Sequence, residues 1–365
     1  MRLYRMELFK ICTRKLFLFG AAGMIGITLL YFLSYVSGAE STINGVRYRG
    51  YEAIIADRRI TQEFQGILTD EKVGQIVKKY GFPKEAREGI NMFVDTNYLN
   101  GFVMYYLSDG YMRGWDDYQV ATCTYPIAET QLGEMEALTG REMILEYHYG
   151  WEVFINVLNL GFILVGILVI FGISPIFAEE SHIETLPLLF TAKEGKGRDI
   201  RAKIAAGLTV AAASYLAIVL MALALCGMFF GFGGLESFTG LIFGYLSTWF
   251  KTALLPVKGF ILLYLLFAFV GQLELCAVTM LLSAWCKSPF HVVVADALLW
   301  VLPILLLAFS GRVSFSMRVT PLYLIMPHNV YEIRYLLMLP VMVGIALGAT
   351  IACLALGYRK YKNKE

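Results

Sequence analysis

The hydrophobic positions of the chain fall into six long apolar runs, separated by two long polar stretches and several short ones. Each run has at least about 18 residues with few or no charges, close to the roughly 20 that a helix needs to cross the hydrocarbon core of a bilayer. The runs cover residues 16–36, 155–177, 204–230, 260–285, 290–309 and 336–356. The pattern predicts six transmembrane helices in an all-α polytopic membrane protein.

The composition agrees with a membrane protein. Hydrophobic residues make up 58% of the chain and charged residues only 16%, against about 45–50% and 25% in soluble domains. The first run is longer than the core of a signal peptide and no clear cleavage site follows it, so we interpret it as a transmembrane helix.

The longer polar stretch, residues 37–154, predicts a small, mainly helical extracellular domain between the first two transmembrane helices. Thr69 precedes an acidic first turn, and Val73, Ile76 and Val77 follow at helical spacing before Gly81, which is typical of a capped amphipathic helix. A second helix is expected from Ile127 onward, running towards the second transmembrane helix. The many aromatic residues of the domain are typical either of a small core and headgroup contacts or of a ligand surface.

The distribution of Lys and Arg predicts the orientation in the membrane. Basic residues cluster in 1–15, in 178–203 and in the tail 357–365, so both termini and the loop 178–203 are expected to be cytoplasmic. Residues 1–15 also resemble an interfacial amphipathic helix. Residues 37–154 hold 11 basic and 18 acidic residues, and we expect them outside with the loops 231–259 and 310–335.

The cysteines favour a bacterial cytoplasmic membrane. Of the six cysteines only Cys123 lies in the predicted extracellular domain, so no disulfide can form within it. An extracellular domain without disulfides is typical of surfaces where folding does not depend on oxidation.

A search for catalytic motifs finds none. The chain lacks the G-x-x-x-x-G-K-[ST] phosphate loop, the H-E-x-x-H and G-x-S-x-G motifs, C-x-x-C and G-x-G-x-x-G. Its four histidines are dispersed. We therefore expect no enzymatic activity, no metal and no cofactor in this chain, and its small net charge of +2 gives no indication of a nucleic-acid partner.

Polar residues inside the predicted transmembrane helices are candidates for a translocation path. Glu274 and Asp296 lie within apolar runs, with Gln272 and His291 close to them in sequence, and a charge inside the membrane is by default a functional candidate. The alternative is that these side chains hold helices together. Gly344 and Gly348 form a G-x-x-x-G pattern that indicates close helix packing, within the chain or between two copies.

The loop 178–203 has five bases but also an apolar centre, LPLLF, that basic anchoring does not explain. Its text resembles the cytoplasmic loop of bacterial ABC-2 type permeases, the membrane subunits of ABC exporters. The matching positions are Phe177, Glu180, Leu186, Leu189, Thr191, Ala192, Gly197, Arg198, Asp199, Ile200, Ala202 and Lys203. Six transmembrane helices, an N-terminal interfacial helix and cytoplasmic termini are also similar to that family.

The resemblance implies a dimer of permease chains in the lipid bilayer, coupled to separate ATPase subunits that bind ATP-Mg. The loop would then be the coupling element, with Glu180 and Arg198 as polar anchors and with an apolar docking face formed by Leu186, Leu188, Leu189 and Phe190. The substrate class implied is a peptide, a lipid or a drug-like molecule. Two alternatives are a membrane-anchored sensor or immunity protein with a ligand-binding extracellular domain, and a proton-coupled carrier built on Glu274 and Asp296.

Overall fold

The computed structural model of the chain describes residues 2–87, 90–110, 120–185, 191 and 197–364. About 72% of the structure is helical, and β-sheet is a minor component. The chain divides into two compact units. Unit 1 comprises residues 1–29, 157–222 and 262–365, and unit 2 comprises residues 30–156 and 223–261.

Among the residues that the structure describes, six helical segments are long and apolar enough to cross a membrane, which indicates a multi-pass membrane protein. They are α2 (Lys15–Gly38), α7 with α8 (Tyr149–Ile173 and Pro175–His182), α9 (Arg198–Phe230), α10 (Val257–Trp285), α11 (Pro289–Ser310) and α15 (Met338–Lys362). A further helix, α1 (Arg2–Cys12), precedes them, and three short helices, α12 (Phe315–Arg318), α13 (Pro321–Leu324) and α14 (Pro327–Tyr331), lie between α11 and α15.

The helices extend further into polar sequence than the apolar runs indicate. The second segment continues to His182 and α9 begins at Arg198, so the segment that joins them, which we call the loop 183–197, is shorter than the predicted 178–203. Charged residues there have helical geometry because their side chains are paired inside unit 1, as described below.

In unit 1, glycines allow helices to approach each other closely. A Cβ atom on Gly161 of α7 would lie 2.5 Å from Ile218 Cγ2 of α9, and one on Gly207 of α9 would lie 2.1 Å from Met280 Cε of α10. A larger residue at either position would require the facing side chain to move.

In its described residues, unit 2 combines helices with three two-stranded antiparallel sheets. The helices are α3 (Tyr51–Glu63), α4 (Asp70–Tyr80), α5 (Tyr98–Leu107) and α6 (Gln131–Thr139). The sheets pair β1 (Glu40–Ile43) with β2 (Val46–Arg49), β3 (Gly66–Ile67) with β6 (Ile144–Leu145), and β4 (Lys84–Arg87) with β5 (Ile90–Val94).

The predicted start and end of α4 are both present, whereas the helix predicted from Ile127 ends early. The Thr69 side chain accepts a hydrogen bond from the Lys72 N–H at 3.3 Å and caps α4, which ends at Gly81 with φ +66°. The expected continuous helix from Ile127 towards the membrane is wrong, because α6 ends at Gly140 in a left-handed conformation and the chain then forms β6.

The core of unit 2 draws on two distant parts of the sequence. Helices α3 to α6 supply most of it, including Ile76, Val103 and Leu132. Phe238, Leu241 and Leu246, from the segment that the apolar pattern presents as a separate loop, belong to the same hydrophobic cluster. Residues 223–261 are therefore part of the folded unit rather than a simple connection.

Candidate functional site

The loop 183–197 starts and ends at a buried ion pair. Glu180, in the last turns of α8, accepts a hydrogen bond from the Lys203 Nζ of α9, with 2.7 Å between Oε1 and Nζ. Lys203 is only 1% exposed and Glu180 only 5%. The helix that enters the loop and the helix that leaves it are therefore held together by opposite charges.

Four further side chains complete what we call the Glu180 cluster. Glu7 of α1 lies 3.0 Å and Asp199 of α9 lies 3.6 Å from Lys203 Nζ. Lys10 of α1 lies 3.7 Å from Glu180, and the Tyr361 hydroxyl of α15 donates a hydrogen bond to the second oxygen of Glu180. The cluster comprises Glu7, Lys10, Glu180, Asp199, Lys203 and Tyr361.

Burial gives this cluster its stabilising role. An unpaired buried ammonium or carboxylate is strongly unfavourable, whereas a buried charge with several opposite charges and hydrogen bonds is tolerated. Lys203 meets three carboxylates, and Glu180 uses both oxygens. Displacing one member would leave another buried charge without its partner, so the four elements α1, α8, α9 and α15 are coupled at this point.

The Ser283 side chain connects α10 to the same region through three hydrogen bonds. The Ser283 hydroxyl of α10 donates to the Ser174 carbonyl at 2.7 Å and accepts from the Phe177 and Ala178 N–H groups at 3.0 Å. It thereby satisfies backbone groups that the break between α7 and α8 leaves without helical partners.

Lys364, just beyond α15, contacts the end of α10. Its Nζ donates to the Ala284 and Cys286 carbonyls at 3.0 and 3.1 Å. These carbonyls lie at the C-terminal end of α10, where the helix dipole stabilises a positive charge. Burial lowers the pKa of this ammonium group. The ends of α10 and α15 are thus also joined.

A groove of about 750 Å³ lies between α1 and the start of the loop. Glu7, Lys10 and Glu180 of the cluster line it, together with the apolar side chains of Met6, Phe9 and Ile183, which are 65%, 70% and 58% exposed. The Arg14 guanidinium also donates to the Glu179 carboxylate at its edge. The groove combines an exposed apolar rim with a charged floor.

No family model, curated protein or solved structure matches the chain. The interpretation of this region therefore depends on its own geometry and on the text of the loop. The described residues of that text lie mainly inside the protein: Phe177 and Ile200 are fully buried, and Asp199 and Lys203 belong to the Glu180 cluster.

The structure places the predicted coupling residues in different environments. The Glu180 carboxylate lies inside the cluster, where it accepts hydrogen bonds from Lys203 and Tyr361. Arg198 is exposed at the start of α9. Leu186, Leu188, Leu189 and Phe190 lie outside the described residues.

The four predicted path residues do not form one continuous polar track. Gln272 donates to the Phe162 carbonyl at 2.7 Å, and Asp296 accepts from Thr279, which lies two helical turns after Gln272 on the same face of α10. Glu274 projects from the opposite face, within electrostatic range of Cys353 of α15. His291 is exposed near the start of α11. The buried members thus each contact a different part of unit 1.

Gly344 and Gly348 lie on an exposed face of α15. A Cβ atom at either position would meet no described atom within 4 Å, while the buried face of the helix carries Met342, Ala346 and Thr350. Packing within the described part of the chain does not explain this G-x-x-x-G pattern.

Sequence reasoning named Asp199 and Lys203 only as positions of the resembling loop text, and it missed Glu7, Lys10 and Tyr361 as site residues. Two signals were available. Asp199 and Lys203 have the i, i+4 spacing of a helical ion pair, and Glu7 is the single acidic residue among the bases of α1. Residues 7, 180, 203 and 361 are far apart in the sequence, so no local pattern predicts that they meet.

Proposed function

We propose that this chain is the membrane subunit of a bacterial ABC exporter of the ABC-2 type. It works as a dimer with two separate ATPase chains, has both termini in the cytoplasm and exposes unit 2 outside the cell. The loop 183–197 is the element on which the ATPase acts.

The observation that carries the proposal is the attachment of both ends of the loop to the Glu180 cluster. A loop that only joins two transmembrane helices needs no buried lysine with three carboxylate neighbours. A loop that transmits force does need a rigid base. A displacement of the loop would act on α1, α8, α9 and α15 together, because separating them leaves charges buried and unpaired.

The groove beside the loop supports a protein partner at the same place. Its exposed Met6, Phe9 and Ile183 side chains and its charged floor have the combination of apolar surface and polar contacts found at protein interfaces. Together with the LPLLF text of the loop, they supply an apolar surface for an ATPase subunit.

Coupling requires the ATPase to bind two states of the membrane subunit with different affinity. ATP-Mg would be held by the ATPase, and this chain would respond through the loop. In this scheme the permease residues do no covalent chemistry: Lys203 and Glu180 keep the loop base intact while the transmembrane helices change their packing.

The proposal is tested by co-purification from membranes of the source organism. The tagged full chain is compared with a Leu188→Asp, Leu189→Asp double variant, and the proteins that co-purify are identified. We expect an ATPase subunit with the wild-type chain and its loss with the variant, because two carboxylates in the docking face are costly to bury.

The matched control is an Ile67→Asp, Leu138→Asp variant in unit 2. Both side chains are exposed, by 49% and 58%, so this variant makes the same chemical change away from the loop and should retain the ATPase. If the wild-type chain inserts normally and never co-purifies with an ATPase, the proposal is wrong.

A further inference from the structure

Unit 2 contains a cavity of about 740 Å³. This volume is in the range of small-molecule sites, about 300–1,000 Å³. The cavity is formed within unit 2 alone, by α3, α5, the residues before and at the start of α7, and the 241–246 segment. It shares no residue with the Glu180 cluster.

Aromatic rings form a continuous wall of this cavity. Each ring contacts the next in the order Tyr106, Phe102, His148, Tyr98, Tyr147 and Tyr149. The distances between successive ring centroids are 5.2, 6.4, 5.4, 4.8 and 6.5 Å. All six side chains line the cavity. Aromatic faces carry partial negative charge and attract cations within about 6 Å.

The charged groups of the wall are acidic. Glu40, Asp57 and Glu152 line the cavity, and no Lys or Arg is among its lining residues in the described part of the chain. His148 adds no positive charge near neutral pH, because burial lowers its pKa to about 4, and its Nδ1 lies 2.6 Å from the Tyr98 hydroxyl.

Two of the three carboxylates have no cationic partner. Glu40 is bound by Arg47 and Arg49 of the adjacent strand. Asp57 accepts hydrogen bonds from the Ser41 hydroxyl at 2.7 Å and the Tyr98 N–H at 3.1 Å but forms no salt bridge with a described residue. The Glu152 side chain forms neither a hydrogen bond nor a salt bridge within the described ranges.

We propose that this cavity binds an organic cation that carries an apolar body. The carboxylates of Asp57 and Glu152 would face the cationic group, and the six rings would surround it and its apolar part. A hydrophobic anion would meet two uncompensated carboxylates, and a small inorganic cation would leave the aromatic wall unused. Among ligands small enough for the cavity, charge complementarity therefore favours an organic cation.

The position of the cavity favours an amphiphilic ligand. Gly38, at the end of the transmembrane helix α2, and Glu152, in the first turn of α7, both line it. The cavity thus lies where two candidate transmembrane helices end, and an amphiphile likewise keeps its charged group at the end of its apolar part. A ligand there reaches the carboxylates without leaving the interface.

The test uses the full-length protein in dodecyl maltoside at pH 8, titrated by calorimetry with 4-phenylbutyltrimethylammonium. Burial raises the pKa of Asp57 to about 6, so its carboxylate is ionised at this pH. The comparison ligand is the neutral isostere in which a tert-butyl group replaces trimethylammonium. We expect the cation to bind at least about tenfold more tightly than the isostere.

Two pairs of variants assign the effect to the cavity. Glu152→Gln should weaken cation binding about tenfold, whereas Glu142→Gln, an exposed glutamate outside the cavity, should not. Tyr147→Leu should weaken binding about threefold or more, whereas Tyr147→Phe keeps the ring and should retain affinity.

Tighter binding of the cation than of the isostere would support a cation site. The proposal is overturned if the isostere binds as tightly as the cation or if neither ligand binds. Unchanged affinity in both Glu152→Gln and Tyr147→Leu also overturns it, and the tyrosine pair remains decisive if Glu152→Gln does not fold. A cationic lipid headgroup and a free organic cation share this chemistry. Repeating the titration after adding short-chain phosphatidylcholine distinguishes them, because only a headgroup site is blocked by that lipid.

Discussion

At the residue scale, Lys203 is a buried charge that depends on its neighbours. Its ammonium group is almost completely excluded from solvent and lies within 3.6 Å of three carboxylates. Breaking a buried ion pair by removing one partner is far more costly than losing a surface pair, because the remaining charges stay buried. This contrast makes the cluster testable by substitution.

We predict that Lys203→Met lowers the free energy of unfolding by roughly 3–5 kcal/mol. The methionine fills similar space but leaves Glu7, Glu180 and Asp199 without their shared cation. Denaturation with dodecyl sulfate in mixed micelles measures the change. Arg201→Met, an exposed position on the same helix, should change stability by no more than about 0.5 kcal/mol. Equal stability of the two variants would contradict the assignment.

In unit 2, Asp57 and His148 have opposite effects on the pH dependence of stability. Burial raises the pKa of Asp57 from 3.8 to about 6, so its contribution favours the folded state at low pH and is lost as the pH rises through 6. Burial lowers the pKa of His148 from 6.5 to about 4, so its contribution is present above pH 6.5 and lost as the pH falls through 4. Between pH 4 and 6 the two effects nearly cancel.

We therefore predict that Asp57→Asn changes the pH profile of unit 2 stability relative to the wild type. The variant lacks the contribution that Asp57 makes at low pH, so the difference in stability between wild type and variant should shift in favour of the wild type by up to roughly 3 kcal/mol as the pH falls from above 6 to 4. Hydrogen exchange of α5, corrected for the intrinsic rate, measures local opening. Glu52→Gln, exposed on the same helix as Asp57, should keep the wild-type profile, and an Asp57→Asn profile parallel to that of the wild type would show that Asp57 does not titrate as described.

At the scale of elements, the sequence predicts what is encoded locally. The six membrane helices follow from apolar runs of bilayer length, and α4 follows from the Thr69 cap and the Gly81 stop. Helix ends in charged sequence are predicted less well. Residues 198–203 appear as loop by composition, yet Asp199 and Lys203 are helical because tertiary partners neutralise them.

Features that depend on distant residues were not predictable. The Glu180 cluster joins α1, α8, α9 and α15, and the unit 2 core includes Phe238 and Leu241 from beyond the third membrane helix. A single sequence gives the periodicity of each element but not which elements meet. The aromatic residues of unit 2 are partly core and partly cavity wall, a distinction that only the fold supplies.

Glycines on two membrane helices should respond differently to substitution. Gly161→Leu would place Cβ 2.5 Å from Ile218 Cγ2, so we predict a loss of about 1–3 kcal/mol from overpacking. Gly344→Leu and Gly348→Leu meet no described atom at Cβ and should leave thermal unfolding of the protomer unchanged.

The same pair of variants tests where a second copy packs. If it packs against the exposed face of α15, the bulkier side chains prevent close approach, and the crosslinked dimer fraction in native membranes should fall in Gly344→Leu and Gly348→Leu. An unchanged dimer fraction would place the contact between copies on another face.

At the scale of the whole molecule, contacts within unit 1 place α1, the loop 183–197 and the end of α15 together. Glu7 and Lys203 are 3.0 Å apart, and Tyr361 contacts Glu180. The two termini and the loop therefore lie at the same end of the helices. The contacts do not depend on which side of the membrane this end faces, and the Lys and Arg distribution predicts that it faces the cytoplasm.

The native cysteines allow this orientation to be tested without introduced labels. Cys123 is exposed in unit 2, whereas Cys12 and Cys286 lie near the proposed cytoplasmic ends of helices and Cys226 and Cys276 are buried. We predict that a membrane-impermeant maleimide labels intact cells through Cys123 and that Cys123→Ser abolishes this labelling. Opening the cells should restore labelling of the Cys123→Ser protein through Cys12 and Cys286.

The opposite pattern would reverse the assignment. If intact cells expressing Cys123→Ser are labelled as strongly as the wild type, the helix ends that carry the Glu180 cluster face outward. A cytoplasmic ATPase could then not reach the loop, and the coupling role would fail together with the orientation. The cation site of unit 2 would remain, because its rings and carboxylates belong to one unit and need no particular side of the membrane.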